Sequence, residues 1–176
     1  MVQRITIRHD DFDFRLTPAE YIANHENFIK HGLVETAVIQ LATKNCLNGF
    51  NQEIVDYLNQ APNWDLQLHG FNHDHYNEMN YNEIVRDLSA ALYWFGRLFG
   101  KYPTRWFTPW NCYSDDMKRA ATKVGLEIDN ESWDIAKFVR EFEVYDGHSL
   151  YFHLWRKPEK ELIPKMLKLA KIYEGR

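Results

Sequence analysis

The sequence lacks the features that mark membrane-spanning, disulfide-bonded or nucleic-acid-binding proteins. None of its apolar runs approaches the ~20 residues that a transmembrane helix needs, so we predict no membrane span. The 2 cysteines, Cys46 and Cys112, have no CxxC spacing and are predicted to be ordinary reduced thiols. The formal net charge of −4 argues against a nucleic-acid partner.

What is present fits an ordinary globular chain. Hydrophobic residues make up 45% of the 176 residues and charged residues 26%, which predicts one domain spanning residues 1–176. A strand pattern follows the N-terminal methionine directly, without a charged and apolar leader, and this predicts a cytoplasmic protein. Aromatic residues reach 15%. Stacking surfaces for sugar rings and an aromatic-rich core both account for that surplus.

Strand-like and helix-like segments alternate along the chain. Thr17-Pro18-Ala19-Glu20 combines an N-cap, a first-turn proline and a capping-box glutamate, and the helix that follows is predicted to end near Gly32. For residues 133–147 the sequence is compatible with either a short strand or an irregular loop. One alternating β/α unit with a mostly parallel sheet or barrel follows. The predicted strands are 3–8, 34–42, 64–69, 104–109, 126–129 and 149–155, and further helices begin at Asn51, Asn80, Ser114 and Pro158.

Polar side chains stand at the ends of most of these strands. In parallel β/α folds, reactive groups collect at the carboxyl ends of the strands, so these side chains are predicted to face one rim. They come from five strand ends: His9-Asp10-Asp11, His69 to His73, Thr108-Pro109-Trp110-Asn111, Asp129 and His153.

The stretch His69-Gly70-Phe71-Asn72-His73 indicates a metal site. Histidines four apart lie on one face if the backbone turns helically, so both imidazoles can reach one ion. A carboxylate from a neighbouring strand end, Asp11, suits the third position of a zinc-type site. His75 is open to two interpretations, a solvated loop histidine or an alternative ligand beside His73.

Two adjacent acids can have different roles beside such an ion. One binds the cation, while its unligated neighbour accepts a proton from water that the ion has made more acidic. His153, across the rim, has the chemistry to protonate a leaving group, although a strand histidine bonded within the core is the alternative.

The order of these features resembles the polysaccharide deacetylase (NodB-homology, carbohydrate esterase family 4-like) family. The resemblance runs from Ile5 to Trp155. It implies a single-domain distorted, incomplete (β/α) barrel that removes acetyl groups from N-acetylated sugars with a divalent metal. Zinc is the expected ion, with nickel, cobalt and iron as alternatives.

The first two motifs of the family fall on the acid pair and on the two histidines. The Thr-Phe-Asp-Asp motif matches residues 8–11, which implies that Asp10 is the general base and Asp11 a metal ligand. The His-x-x-x-His motif matches His69 and His73, which would complete the metal triad.

The later motifs imply three more site residues. The Arg-x-Pro-Tyr motif falls on residues 107–110, so the backbone N–H of Trp110 would help to hold the oxyanion, a role open to any residue but proline. His153 is the implied general acid. Asp129 is the implied carboxylate that orients it, together with residues 133–134.

Two departures separate the chain from the family pattern. Phe107 replaces the motif arginine that steadies the base carboxylate, and Phe12-Asp13 replaces the glycine that usually follows the acid pair. Asp13 is therefore an alternative to Asp11 as ligand, or a partner of a metal histidine. The arginines that are candidates to replace the missing one are Arg8, Arg105 and Arg156.

Three functions follow as hypotheses. The first is a metal-dependent hydrolase of a C–N amide bond, deacetylating an N-acetylated sugar or glycoconjugate. The second is a hydrolase of the same fold that acts on a small cyclic or other non-sugar amide. The third is an inactive module that binds a glycan. The sequence gives no indication of the oligomeric state.

Overall fold

In the part of the chain that the structure describes, seven parallel strands form one curled sheet. The computed structural model describes residues 5–12, 16–43, 46–47, 52–61, 64–147 and 149–175. The strand order is β7-β6-β5-β2-β1-β9-β8, with parallel pairing throughout. These strands are β1 (Thr6–Phe12), β2 (Val34–Gln40), β5 (Trp64–Gly70), β6 (Arg105–Trp106), β7 (Glu127–Ile128), β8 (Ser132–Asp134) and β9 (Ser149–Phe152).

Helices connect the strands, as parallel neighbours require. The curled, open sheet with its helices is a distorted, incomplete (β/α) barrel, as the sequence predicted. No helix in the described part of the chain is long and apolar enough to cross a bilayer. The helices are α1 (Pro18–Lys30), α2 (Gln52–Gln60), α3 (Tyr81–Phe99), α4 (Asp115–Val124), α5 (Ile135–Arg140) and α6 (Lys157–Glu174).

The helix boundaries follow the capping signals in the sequence. Thr17 and Glu20 form a reciprocal capping box at the start of α1, and Asn80 and Glu83 form another at α3. Gly100 ends α3 in a left-handed conformation, which glycine adopts without the steric cost of a Cβ. The predicted starts of α1 at Thr17 and of α3 at Asn80 are confirmed.

The strand boundaries differ from the expected ones. β1 extends to Phe12, so the acid pair lies inside the strand instead of beyond it. β6 covers only two residues of the predicted 104–109, because Thr108 and Pro109 turn into a short 3₁₀ helix. The sequence also did not predict a small antiparallel pair, β3 (Ala42–Thr43) with β4 (Cys46–Leu47).

Residues 133–147, for which the sequence allowed a strand or a loop, contain both a strand and a helix. β8 pairs with β9 and leads directly into α5, whose N-cap Asp134 accepts hydrogen bonds from Ala136 and Lys137. Phe138 of α5 is fully buried in the core. The segment therefore completes one edge of the sheet and covers it with a helix.

Candidate active site

Three side chains converge at one end of the sheet. The Oδ1 atom of Asp11 lies 3.1 Å from Nε2 of His69 and 3.0 Å from Nε2 of His73. One ligand atom from each residue lies within 4.8 Å of the others. Asp11 and His69 are buried, whereas His73 is partly exposed. The two histidines and one carboxylate that the sequence predicted are thus brought together.

A bulge in β1 lets both acids of the pair reach this place. Neighbouring residues of a regular strand point to opposite faces, so Asp10 and Asp11 would normally diverge. The pairing register with β2 shifts between His9 and Phe12, and Asp11 has a left-handed φ of 53°. Such a conformation is costly for a residue other than glycine and is found at functional sites.

Backbone groups around His69 orient its imidazole toward Asp11. Nδ1 of His69 donates to the carbonyl oxygen of Phe107 at 2.7 Å, which directs Nε2 toward Asp11. The chain then turns at Gly70 with a φ of 142°. The segment from Phe71 to His73 is a loop and not the helical turn that the spacing of the two histidines suggested. The loop brings the two imidazoles together instead.

The residues present fit a bound divalent cation. Because Nδ1 of His69 donates to Phe107, the neutral ring turns an Nε2 lone pair toward the Asp11 carboxylate. Lone pairs facing a carboxylate repel unless a cation or extra protons lie between them. Burial raises the pKa of Asp11, but hydrogen bonds and charge from the protonated forms of His69 and His73 outweigh burial and hold that pKa far below its usual range. A bound cation would supply the same positive charge beside the carboxylate. Two imidazoles and one carboxylate form a set suited to zinc.

Asp10 has a different partner. Arg8 Nε lies 2.7 Å from Oδ1 of Asp10, and Arg8 Nη2 donates to Oδ2 at 2.8 Å. The guanidinium is buried and lies over the rings of Phe107 and Tyr151, 4.7 and 5.1 Å from their centroids. Of the three candidate arginines, Arg8 reaches Asp10, and Phe107 packs against it. Nη2 also donates to Asn111 at 3.2 Å.

His153 follows β9 directly and faces the same pocket. Its Nε2 lies 3.9 Å from Oδ2 of Asp11, while its Nδ1 lies 3.0 Å from Oε2 of Glu159. Burial raises the pKa of Glu159, but hydrogen bonds from His153 outweigh burial and bring the pKa below its ordinary value.

Asp129, the expected orienting carboxylate, is paired with another residue in this structure. Asp129 forms an ion pair with Arg105 at 2.9 Å, and Arg105 also pairs with Asp65, so these acids neutralise an arginine away from His153. The described residues place Glu159 at Nδ1 of His153 instead. Sequence reasoning missed Glu159 because it lies on the following helix. Its one signal was a glutamate in the first turn after Pro158.

Trp110 stands at the mouth of the pocket. Its φ of 61° is left-handed, and the side chain is 59% exposed. The ring of His75 stacks on it with centroids 4.9 Å apart and planes at 6°. His75 is thus neither simply solvated nor part of the described ligand cluster. Asp13 lies outside the described residues.

The pocket measures about 310 Å³ and is lined by Asp10, His69, His73, Thr108, Trp110, Asn111, Tyr151, His153 and Arg156.

Comparison with protein families gives a match over residues 20–128 to the model described as polysaccharide deacetylase. The chain belongs to the polysaccharide deacetylase family. The matched region includes His69, His73 and Trp110, whereas the acid pair and His153 lie outside it. No curated protein matches the chain significantly in sequence.

Solved structures of this family share the fold at low sequence identity. A family 4 carbohydrate esterase from Streptomyces lividans has a TM-score of 0.71 at 14% identity, over 98% of this chain and 90% of that one. Peptidoglycan deacetylase PdaC from Bacillus subtilis has a TM-score of 0.73 at 12% identity, over 97% and 84%. A family 4 pseudoenzyme from Bacillus anthracis has a TM-score of 0.72 at 11% identity, over 97% of this chain. The chain spans 61% of that pseudoenzyme's length.

Proposed function

We propose that this chain is a metal-dependent hydrolase of a C–N amide bond that deacetylates an N-acetylated sugar or glycoconjugate. The observation that carries the proposal is the separation of the two adjacent acids. Asp11 faces two imidazoles, and Asp10 faces a buried guanidinium. A site that only held a cation would need no second carboxylate kept apart from the first.

The expected metal ligands are Asp11, His69 and His73, with zinc as the expected ion. When bound, such an ion polarises the substrate carbonyl and lowers the pKa of water toward neutrality. Two of these ligands are oriented by their surroundings. The Phe107 carbonyl oxygen accepts a hydrogen bond from His69, and the bulge in β1 sets the direction of Asp11.

Asp10 and His153 are the proposed proton-transfer groups. Asp10 accepts the proton that water gives up as its oxygen adds to the carbonyl carbon. The C–N bond then breaks, and the nitrogen leaves with a proton that Nε2 of His153 supplies. Arg8 keeps the Asp10 carboxylate oriented toward the pocket during both steps.

The Trp110 backbone N–H is the proposed donor to the oxyanion. The 3₁₀ turn engages the neighbouring N–H groups, since Asn111 donates to Thr108 and Cys112 donates to Pro109. Among the described turn and loop residues, no backbone hydrogen bond uses the N–H of Trp110. The left-handed conformation of Trp110 thus accompanies an N–H that the fold leaves available.

A second candidate function is glycan binding without hydrolysis. Two observations favour it: the exposed ring of Trp110 at the pocket mouth and the structural likeness to a family 4 pseudoenzyme. The pairing of Asp10 with Arg8 favours the hydrolase, because it preserves a positioned, unligated carboxylate next to the expected ligand.

Acetate release separates these functions. Zinc-loaded protein should release acetate from the N-acetylglucosamine trimer, and Asp10→Asn should remove this activity while retaining the metal. Glu161→Gln, at an exposed position of α6, is the matched control and should behave as wild type. Trimer binding without acetate release by the wild-type protein would support the glycan-binding module. Release of a ring-opened product from a small cyclic amide, without acetate release from the trimer, would support the non-sugar hydrolase.

A further inference from the structure

Glu159 is a buried acid in the first turn of α6. Acidic residues are common in this position because the helix dipole favours them, but most are exposed to water. Glu159 is only 9% exposed, so its charge must be matched by donors. It has three within reach: the backbone N–H of His153 at 2.6 Å, Nδ1 of His153 at 3.0 Å and Nη1 of Arg156 at 3.2 Å.

Helix capping does not account for this arrangement. A glutamate in the third position of a helix ordinarily turns back to the N–H of the N-cap residue. Arg156 is the N-cap of α6, but its N–H donates to the carbonyl oxygen of His153. Glu159 instead reaches past Arg156, and its Oε2 accepts both hydrogen bonds from His153. The Glu159 side chain therefore binds His153 and does not cap the helix.

The consequence for His153 is a defined ring. A carboxylate at Nδ1 holds the hydrogen on that nitrogen in the neutral imidazole and stabilises the imidazolium once Nε2 is protonated. The backbone hydrogen bond fixes the position of the residue at the same time. Nε2 is left facing the pocket, in the direction of Asp11.

The other acids considered for this task are engaged elsewhere. Asp129 pairs with Arg105, and Asp134 caps α5 through Ala136 and Lys137. Neither of these two makes a described hydrogen bond to His153. The assignment therefore falls on Glu159.

We infer that Glu159 is the positioning residue for His153, so that the C-terminal helix supplies the carboxylate that orients the general acid. The inference rests on the proposed function, because it assumes that His153 Nε2 protonates the departing amine. Its two parts, the ring geometry and the effect on turnover, can be measured separately.

The kinetic test compares two substrates that differ in their leaving group. Acetyl transfer from the N-acetylglucosamine trimer expels an amine that must be protonated, whereas 4-nitrophenyl acetate expels a phenolate that leaves without a proton. We expect Glu159→Gln to lower kcat on the trimer on the order of 10- to 100-fold with KM nearly constant, and to lower kcat on the ester much less. Glu159→Asp, which retains the charge, should recover part of the loss. Glu161→Gln is the control on the same helix.

The outcomes distinguish the inference from the function on which it rests. An equal loss on both substrates would show a structural role and overturn the inference, as would full activity of Glu159→Gln or a trimer-specific loss in Asp129→Asn. Wild-type protein without activity on either substrate would contradict the proposed function. In that case the ¹⁵N spectrum of His153 still decides the geometry: the neutral ring should carry its hydrogen on Nδ1 in wild type. A hydrogen on Nε2 would overturn the assignment.

Discussion

Arg8 holds the Asp10 carboxylate with two nitrogens of one buried guanidinium, at 2.7 and 2.8 Å. The two residues are two apart on β1, so their side chains project from the same face of the sheet. The resemblance to the family places an arginine at position 107 instead, directly after β6. Phe107 stacks against the guanidinium from that position, so an arginine on β1 and an aromatic ring after β6 replace the expected pair.

Removing the arginine should damage both turnover and folding. In Arg8→Gln, Asp10 would remain buried without its cation, which costs about 3–5 kcal/mol of unfolding free energy. A misplaced carboxylate should also lower kcat on the order of 10²-fold. Urea denaturation and acetate release measure the two effects. Arg119→Gln, which removes an exposed arginine paired with Asp116, serves as the control and should leave both quantities near wild type.

A relocated arginine offers a stricter test of the same relationship. Adding Phe107→Arg to Arg8→Gln should restore part of kcat, because position 107 lies close enough to contact the guanidinium of Arg8. Phe107→Arg alone should be less stable than wild type, since two cations would then compete for one carboxylate. If the double variant were no more active than Arg8→Gln, the two positions would not be interchangeable around Asp10.

Tyr76 supports the loop that carries His73. Its buried hydroxyl donates to Asp87 of α3, which also accepts a hydrogen bond from the Phe71 N–H at 3.3 Å. Tyr76→Phe should lower the unfolding free energy by about 1–3 kcal/mol, because the half-buried Asp87 carboxylate loses a donor. Zinc binding should weaken with it. Thermal unfolding with and without zinc measures both effects, and Tyr93→Phe, at an exposed position of α3, is the control.

The pH dependence of stability should reveal the contribution of Glu159. Hydrogen bonds from His153 outweigh burial and lower the folded-state pKa of Glu159, so its stabilising contribution is fully present above the ordinary glutamate pKa of 4.5 and is lost as the pH falls through the folded value. The difference in unfolding free energy between wild type and Glu159→Gln should therefore be larger at pH 7 than at pH 3. Urea unfolding at both values measures it. A difference that grew on acidification would contradict the observed pairing with His153.

Trp110 should contribute to substrate binding through its ring. Trp110→Gly retains the backbone N–H and suits the left-handed φ of 61°, but it removes the exposed surface that His75 supports. We expect KM for the N-acetylglucosamine trimer to rise roughly 2- to 10-fold, which corresponds to about 0.5–1.5 kcal/mol of ring contact. His75→Ala should raise KM in the same direction and by less. An unaltered KM in Trp110→Gly would exclude the ring from substrate contact.

Local signals predicted the helices well. The capping boxes at Thr17–Glu20 and Asn80–Glu83 and the glycines after α3 and α4 each act within a few residues, so the sequence displays them directly. The rule that reactive groups collect at strand ends predicted that the acid pair, the two histidines and His153 share one rim, but it selected Asp129 on the same ground, and the roles came from the resemblance to the family.

Contacts between distant segments could not be predicted in the same way. The pairing of Glu159 with His153 depends on where α6 packs, and the bulge at Asp11 depends on the register with β2. Arg8 was one of three candidate arginines, and the ion pair and hydrogen bond in the folded chain show that it reaches Asp10. Residues 133–147 lacked a clear period because β8 and α5 are too short to display one.

The measurement that tests the central claim most directly is the zinc affinity of three proteins: wild type, Asp10→Asn and Asp11→Asn. The account assigns Asp11 to the metal and leaves Asp10 as the base. Competitive titration should therefore give about one equivalent of zinc with similar affinity for wild type and Asp10→Asn, and much weaker binding for Asp11→Asn. Wild-type zinc affinity in Asp11→Asn, or a loss of binding confined to Asp10→Asn, would contradict the division of roles between the two acids.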